Sequence, residues 1–391
     1  MKLPLLLLLI SAVSINAKDI FVNYALPSET AGDGSAEKPF SNFASALKAA
    51  KDGDTIKILK VDFPIRDAIV IKSRSNITVD GSFNTFTGVK KASAKDWKML
   101  SPGLWKRDMR LSKGIAMRYF QLHNGKQIRM GRFFKAPCKT SCKKVDELRN
   151  GEWTIIENPG TAQKRSFLYS IYLKLDPSIT DITASGVEEP HLKQSNGIEL
   201  SGKCRNLVFK NIICRNFWND GFNIHNHVYN ATFDTICAID CGDDGISAHE
   251  DSIIKVRNYV SIGNSTGICH IDQVTADHHN CYIEDALGRD LYFKANKDTR
   301  LDNTFRNIFI KSSAAGGTFI GFSAQDKLDI EKLTILLTPR SAGYFLMPGK
   351  GAKYSAGSIA VLTREPKNMT KFRQELFAKF NGEIEKNKKS R

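Results

Sequence analysis

The sequence predicts an all-β fold: a right-handed single-stranded parallel β-helix with an N-terminal capping helix, an inserted small β subdomain and a C-terminal helix. Two observations carry that prediction. Four segments, Gly197-Ile198-Glu199-Leu200, Gly221-Phe222-Asn223-Ile224, Gly245-Ile246-Ser247-Ala248 and Gly267-Ile268-Cys269-His270, realign at steps of 24, 24 and 22 residues. Between successive members lie only a second strand-like stretch, such as Phe233 with Ile236 and Cys237, and a polar turn. A repeat of roughly 20 to 30 residues made of strands and turns marks a solenoid, because each unit buries its apolar face only against its neighbours. Parallel coils stacked about 4.8 Å apart then share one core.

The elements follow in chain order. Met1-Lys2, an apolar run from Leu3 to Ile10 and small or polar residues up to Ala17 read as a signal peptide over 1–17. A membrane span needs about 20 apolar residues, and no second run of comparable apolarity follows. An exported, monomeric chain starting near Lys18 and without a membrane span is expected. Residues 18–95 supply the N-terminal cap and first coils. Asp19-Ile20-Phe21-Val22 is a strand, and Ser41 is placed to cap a helix up to Lys51, with Phe43, Ala46, Leu47 and Ala50 on one face and Gly53 as its left-handed stop. Strands are expected at Thr55–Ile58, Ala68–Ile71 and Ile77–Val79.

From 96 to 185 the coil rhythm breaks, and an inserted subdomain is expected. Leu104-Trp105-Lys106-Arg107, Gly151-Glu152-Trp153 and Ser170-Ile171-Tyr172-Leu173 are its candidate strands, while Trp97, Trp105 and Trp153 either pack it or offer faces to sugar rings. Residues 186–365 are the main coils. In 366–391, Phe372, Leu376, Phe377 and Phe380 fall at helical spacing, so a helix packed on the last coils or the flank is expected, followed by frayed charged turns.

Charge narrows the partner. The formal net charge is +16, and Ser101 to Arg165 alone carries 15 Lys or Arg against 5 Asp or Glu. Without RNA-binding or helix-turn-helix signatures, that asymmetry in an exported chain points to an acidic polysaccharide rather than nucleic acid, or to a solvated basic face. Eight cysteines in 391 residues are too sparse for a disulfide scaffold. One loop bridge at most, Cys138 to Cys142, is expected, with Cys204, Cys214, Cys237 and Cys269 as small buried hydrophobes. No paired CxxC or His spacing suggests zinc.

Polar chemistry concentrates on three coils: Asp220, Asn223, His225 and Asn226; then Asp243, Asp244, Ser247, His249, Glu250 and Asp251; then His270 and Asp272. Counting from each glycine stacks His225 over His249, and Asn226 over Glu250 and Asp272. Crowded carboxylates push one pKa upward, so one can act as an acid while another acts as a base. Asn and Asp before glycine also serve as turn residues stacked in hydrogen-bonded ladders, and that reading stands beside the catalytic one.

The block Asp33-Gly34-Ser35-Ala36-Glu37-Lys38-Pro39-Phe40-Ser41, the capping helix and Gly53-Asp54-Thr55-Ile56 resemble the pectin-lyase-like superfamily of carbohydrate-active enzymes, over nearly the whole mature chain. Within it, Asp220-Gly221 followed one coil later by Asp243-Asp244 resembles polygalacturonases. That resemblance implies an inverting glycoside hydrolase with Asp220, Asp243 and Asp244 as catalytic acids. Where polygalacturonases place Gly-His-Gly, this chain has Ser265-Thr266-Gly267, and their Arg-x-Lys finds only Arg289 with Lys294. Asp220-Gly221-Phe222-Asn223-Ile224-His225 is similar to the Tyr-Gly-Phe-Asp-Pro-His of alginate epimerases, which implies His225 as a base, with His249 where their later acid falls.

Two further functions stay open. One is a β-eliminating polysaccharide lyase acting on a uronate through a His or Lys base. Its calcium ion, the one cofactor considered, would sit on Asp243, Asp244, Glu250 and Asp272; a hydrolase would need no cofactor or metal. The other is a non-catalytic glycan-binding β-helix. Asn223, Glu250, His270, Asp272, Arg289 and Lys294 are the expected substrate-binding residues.

Overall fold

The computed structural model describes residues 17–130, 142–163, 165–296, 298–313, 318–322, 326–339, 344–348 and 353–389. Almost all of the expected leader, and Cys138 with its expected bridge, lie outside them. The described chain winds into a parallel β-solenoid of about 11 turns. One long parallel sheet runs Asp19–Val22, Thr55–Ile58, Thr78–Thr87, Val208–Arg215, His227–Ile239, Asp251–Ile262, Gln273–Glu284, Asp302–Ser312, Lys327–Leu337 and Lys353–Leu362. A shorter parallel sheet faces it, in the order Ile69–Lys72, Ile198–Ser201, Phe222–Ile224, Asp244–Ala248, Thr266–Ile271 and Arg289–Lys294.

The repeat is the register. Ile198, Phe222, Ile246, Ile268 and Leu291 pair in succession across the short sheet, and each is fully buried. On the long sheet Phe209, Phe233, Val256, His278 and Phe305 form a facing column, with the Phe209 and Phe233 rings stacked 5.2 Å apart. The glycine of each coil packs against a side chain of the long sheet, Cys214, Ala238, Tyr259 and Ile283 in turn for Gly197, Gly221, Gly245 and Gly267. A Cβ on Gly221 would come within 2.7 Å of the Ala238 Cβ, and one on Gly245 would collide with the Tyr259 hydroxyl.

Turns repeat as strictly as strands. Asn226, Glu250 and Asp272 share a left-handed backbone in the turn after the short sheet. Asn211, Thr235, Asn258, Asn280 and Asn307 share one at a bend within the long strands. There the amide of Asn258 donates to Asp234 at 2.8 Å and that of Asn307 to Asn280 at 2.8 Å. Asn and Asp tolerate this region best among residues with a Cβ. A ladder of side-chain amides also satisfies polar groups that stacking buries.

The capping helix spans Phe43–Ala49 and is shorter than the sequence suggested. Asn42, not Ser41, caps it, accepting from the Ser45 amide at 2.9 Å, while the Ser41 hydroxyl donates to the Ser28 carbonyl at 3.0 Å. The helix ends in extended backbone at Ala50, and Gly53 takes its left-handed conformation, φ 93°, three residues later.

The insertion departs from the coils in topology, because its strands are antiparallel. Trp153–Glu157, Phe167–Lys174, Leu104–Leu111 and Lys98–Ser101 form one sheet, and Val89–Lys91, Val187–Pro190, Gln121–His123 and Lys126–Ile128 another. Trp97, Trp105 and Trp153 are buried in its own core with Tyr119 and Ile171. They pack the insertion and present no face to a sugar.

The C-terminal segment packs on the flank of the long sheet. Met369, Leu376, Phe377 and Phe380 cover Ile239, Val260, Ile262 and Tyr282. Its end is not frayed: Glu383–Lys389 forms a second helix with Ile384 buried, and Lys388 pairs with Glu284 at 2.8 Å. Among the described residues no helix is long and apolar enough to cross a membrane.

Candidate active site on the short sheet

The outer face of the short sheet holds the polar cluster. Asp220 and Asp243 lie in the turns before their short strands and Asp244 opens its own, and one carboxylate oxygen from each lies within 4.8 Å of the other two. All three are nearly buried, at 2, 6 and 2% exposure. Asn196 Oδ1 accepts from the Asp220 amide at 3.2 Å, and Asp220 Oδ1 accepts from the Asp244 amide at 2.9 Å. The turn ladder is therefore real, and it is also the device that aligns the acids. Asp220 Oδ2 accepts from the side-chain amides of Asn223 and of Asn219, the latter at 3.2 Å.

Burial first, then the charges of Asp244 and Asp243, push the Asp220 carboxyl up to about 8. Carboxylates this close cannot all ionise in a low-dielectric site, and the proton settles on one. Of the three acids, Asp220 is the one on which burial and its two charged neighbours favour the proton, against the N–H groups that donate to it.

Arg118, which lies outside the coil repeat, completes the cluster. It ends the short helix Lys113–Arg118 of the insertion, capped by Ser112, and its guanidinium binds the Asp243 carboxylate and donates to Asn219 Oδ1 at 2.7 Å. The only sequence sign was the excess of cations between 101 and 165. No period could assign one of them to the coil face, because the insertion lies outside the repeat.

Further along the same strands the cluster reaches solvent. Ser247 Oγ donates to Asp244 Oδ2 at 3.1 Å and lies 2.7 Å from His249 Nε2. The His249 ring stacks on His225 with centroids 4.4 Å apart and planes 5° apart. His225 Nδ1 meets Glu250 at 3.1 Å, and the Asn226 amide donates to Glu250 at 2.6 Å. Burial raises the Glu250 carboxyl, but this amide and the two histidines outweigh it and hold it low. Burial and the nearby Glu250 raise Asp272.

Three expected site residues stand elsewhere. His270 is buried in the core, with its Nε2 2.9 Å from that of His278, so it cannot touch a polymer on the outer face. Arg289 pairs in register with Thr266, itself in register with Asp244, and its guanidinium lies 4.2 Å over the Tyr292 ring, two coils along from Asp244. Lys294 is exposed in register with Ile271, in the column of His225 and His249.

The four residues considered for calcium are not brought together. Asp243 precedes the strand and Asp244 opens it, while Glu250 and Asp272 lie beyond its other end, about 20 Å away at about 3.3 Å per residue. At the acids that do meet, the oxygens of Asp220 face amide N–H groups and Asp243 faces a guanidinium. That donor set suits carboxyl groups held for proton chemistry better than a cation.

No protein-family description matches this chain, and no curated protein does. Among solved structures, it is similar to one described as the complex structure of XylC with xylose, at 11% identity and a TM-score of 0.46, over 88% of this chain and 69% of that one. It is similar to another described as a glycoside hydrolase, at 11% identity and a TM-score of 0.43, over 92% and 98%. Neither likeness bears on the site's chemistry, which is read from its own residues.

Proposed function

We propose that the protein hydrolyses glycosidic bonds of a polysaccharide, with Asp220 as general acid and Asp244 as base, and that the substrate is acidic. The observation that carries the proposal is three buried carboxyl groups, Asp220, Asp243 and Asp244, with oxygens within 4.8 Å of one another on the outer face of a solenoid, an arrangement that raises the pKa of Asp220. Asp220 gives its proton to the leaving oxygen as the anomeric C–O bond breaks. A water attacks the anomeric carbon and gives its proton to Asp244. Two oxygens within 4.8 Å can both hydrogen-bond one water at about 2.8 Å, so the cluster is able to hold that nucleophile. Direct attack by water inverts the anomeric centre. The Arg118 guanidinium binds the Asp243 carboxylate, and the charge of Asp243 favours the proton on Asp220.

Two features support an acidic substrate: the net charge of +16, and the cation-rich insertion that sends Arg118 to the site. The apolar run after Met1 fits export to where such polymers occur. One observation favours a second reading. Glu250 fixes His225 through Nδ1, which leaves Nε2 as a base able to abstract a proton beside a uronate carboxyl, as a lyase requires.

The test is incubation of the purified protein with uronate, sulfated and neutral polysaccharides, following reducing ends and unsaturated products. Reducing ends without unsaturation, lost in Asp220→Asn, are expected. Unsaturated products that survive Asp220→Asn and vanish in His225→Ala would establish the lyase. Silence across the panel would leave a glycan-binding solenoid.

A further inference from the structure

Resting on the hydrolase reading, the geometry points to Ser247 and His249 as a proton relay that empties the Asp244 carboxyl to solvent after each turnover.

Asp244 is 2% exposed, and in the proposed reaction it gains a proton on every cycle. The two oxygens of Asp220 are engaged by the amide N–H groups of Asp244, Asn219 and Asn223 rather than by a second carboxyl. Ser247 Oγ, by contrast, joins Asp244 Oδ2 at 3.1 Å to His249 Nε2 at 2.7 Å. Ser247 is fully buried, so its hydroxyl has no other route to water, whereas His249 is half-buried. His249 in turn stacks on His225, whose side chain is 37% exposed and bound to Glu250.

A serine hydroxyl has one hydrogen, which fixes the polarity of the chain. While Asp244 is ionised it only accepts, so Ser247 donates to it and His249 Nε2–H donates to Ser247. Once Asp244 has taken the proton of the attacking water, the chain reverses. The half-buried His249 ring first exchanges tautomer with solvent, losing its Nε2 proton and gaining one at Nδ1; Asp244 then donates to Oγ, the serine proton passes to the bare Nε2, and the imidazolium so formed releases its Nδ1 proton to solvent, which restores the Nε2–H tautomer. One proton leaves by this path for the one that Asp220 gave to the leaving oxygen, and Asp220 regains its own from the water that replaces product. Ser247 and His249 touch neither substrate nor reacting atoms in this scheme; they act through Asp244.

The register makes the relay specific to one coil. Ser247 aligns with Asn223 before it and Cys269 after it; the Asn amide cannot accept at one atom and donate from the same atom, and a thiol accepts and donates only weakly.

The experiment has two arms. NMR titration of the His249 imidazole in the parent protein, Ser247→Ala and Asp244→Asn needs no substrate. The relay predicts that both substitutions move its midpoint by at least about half a pH unit, since each removes a coupled group. An unchanged midpoint in both would overturn it. On a polysaccharide that the protein hydrolyses, Ser247→Ala is expected to lower kcat about tenfold or more with KM unchanged, and added imidazole buffer to restore much of it. Unchanged kcat with no buffer dependence would overturn the relay while leaving the hydrolase standing. If the parent protein hydrolyses nothing, the hydrolase reading fails and the relay falls with it, whatever coupling the titration shows among Asp244, Ser247 and His249.

Discussion

Two pairs of histidines on neighbouring coils have opposite fates. His225 and His249 stand four residues after Gly221 and Gly245, point outward and stack beside Glu250. His270 stands three residues after Gly267, points inward and meets His278 at 2.9 Å, between Phe293 and Phe305. A strand's side chains alternate faces, so one step of offset separates a surface group from a core group. The outer pair is wired to carboxylates. The inner pair has buried Nδ1 atoms without a hydrogen-bond partner among the described residues.

The largest effect that would break this contrast concerns the acids beside the outer pair. Asp220→Asn and Asp244→Asn are each expected to lower turnover by roughly 10²–10⁴-fold, the range of general acid–base catalysis, with the circular dichroism spectrum of the parent. Full activity in either variant would remove that carboxyl from the mechanism. In the parent, activity should fall as pH rises through about 8, where Asp220 loses its proton. A kcat/KM profile flat through that pH would contradict its role.

Arg118→Ala comes next. It leaves Asp243, whose side chain is 8% exposed, without its cation, and breaking a pair this buried costs about 3–5 kcal/mol. Thermal denaturation checks this; an unchanged melting temperature would mean the insertion does not hold the site.

The inner pair should report on stability, not turnover. Burial, reinforced by His278, holds His270 well below its usual pKa, and burial alone pushes His278 down to about 3. The folded state therefore binds fewer protons than the unfolded chain below the ordinary value of 6.5. Their contribution is intact above pH 6.5 and is lost as pH falls, at about 1.4 kcal/mol per pH unit for each fully buried histidine. Replacing both by Phe, the residue each column carries one coil later, should flatten stability between pH 6.5 and 4 while leaving activity near neutrality. Parallel acid-denaturation curves for parent and variant would refute it. The smallest effect is expected for Glu250→Gln, which removes an exposed partner of His225 and should change stability by no more than about 1 kcal/mol.

Much of this was legible in the sequence, and the limits are physical. The glycine steps carry the register because no other residue fits between the sheets, and the same count aligned His225 with His249. Applied strictly, that count also places His270 at the inward position; grouping it with its polar neighbours put it on the wrong face. Asp220 and Asp244 were visible as turn residues and as acids, and the structure makes them both. Arg118 was not legible, because an antiparallel insertion carries no repeat to align it. Neither was the second C-terminal helix, whose short charged sequence is held by Ile384 and by Lys388 on Glu284 rather than by its own propensity.

The central claim is that stacking three acids on successive coils leaves Asp220 protonated at neutral pH. An NMR titration of side-chain carboxyls in protein labelled at aspartate, assigned with Asp220→Asn, reads it directly and needs no substrate. The account predicts a midpoint for Asp220 near 8. A midpoint near 4, the ordinary value for an aspartate, would contradict it and leave the cluster as a turn ladder alone.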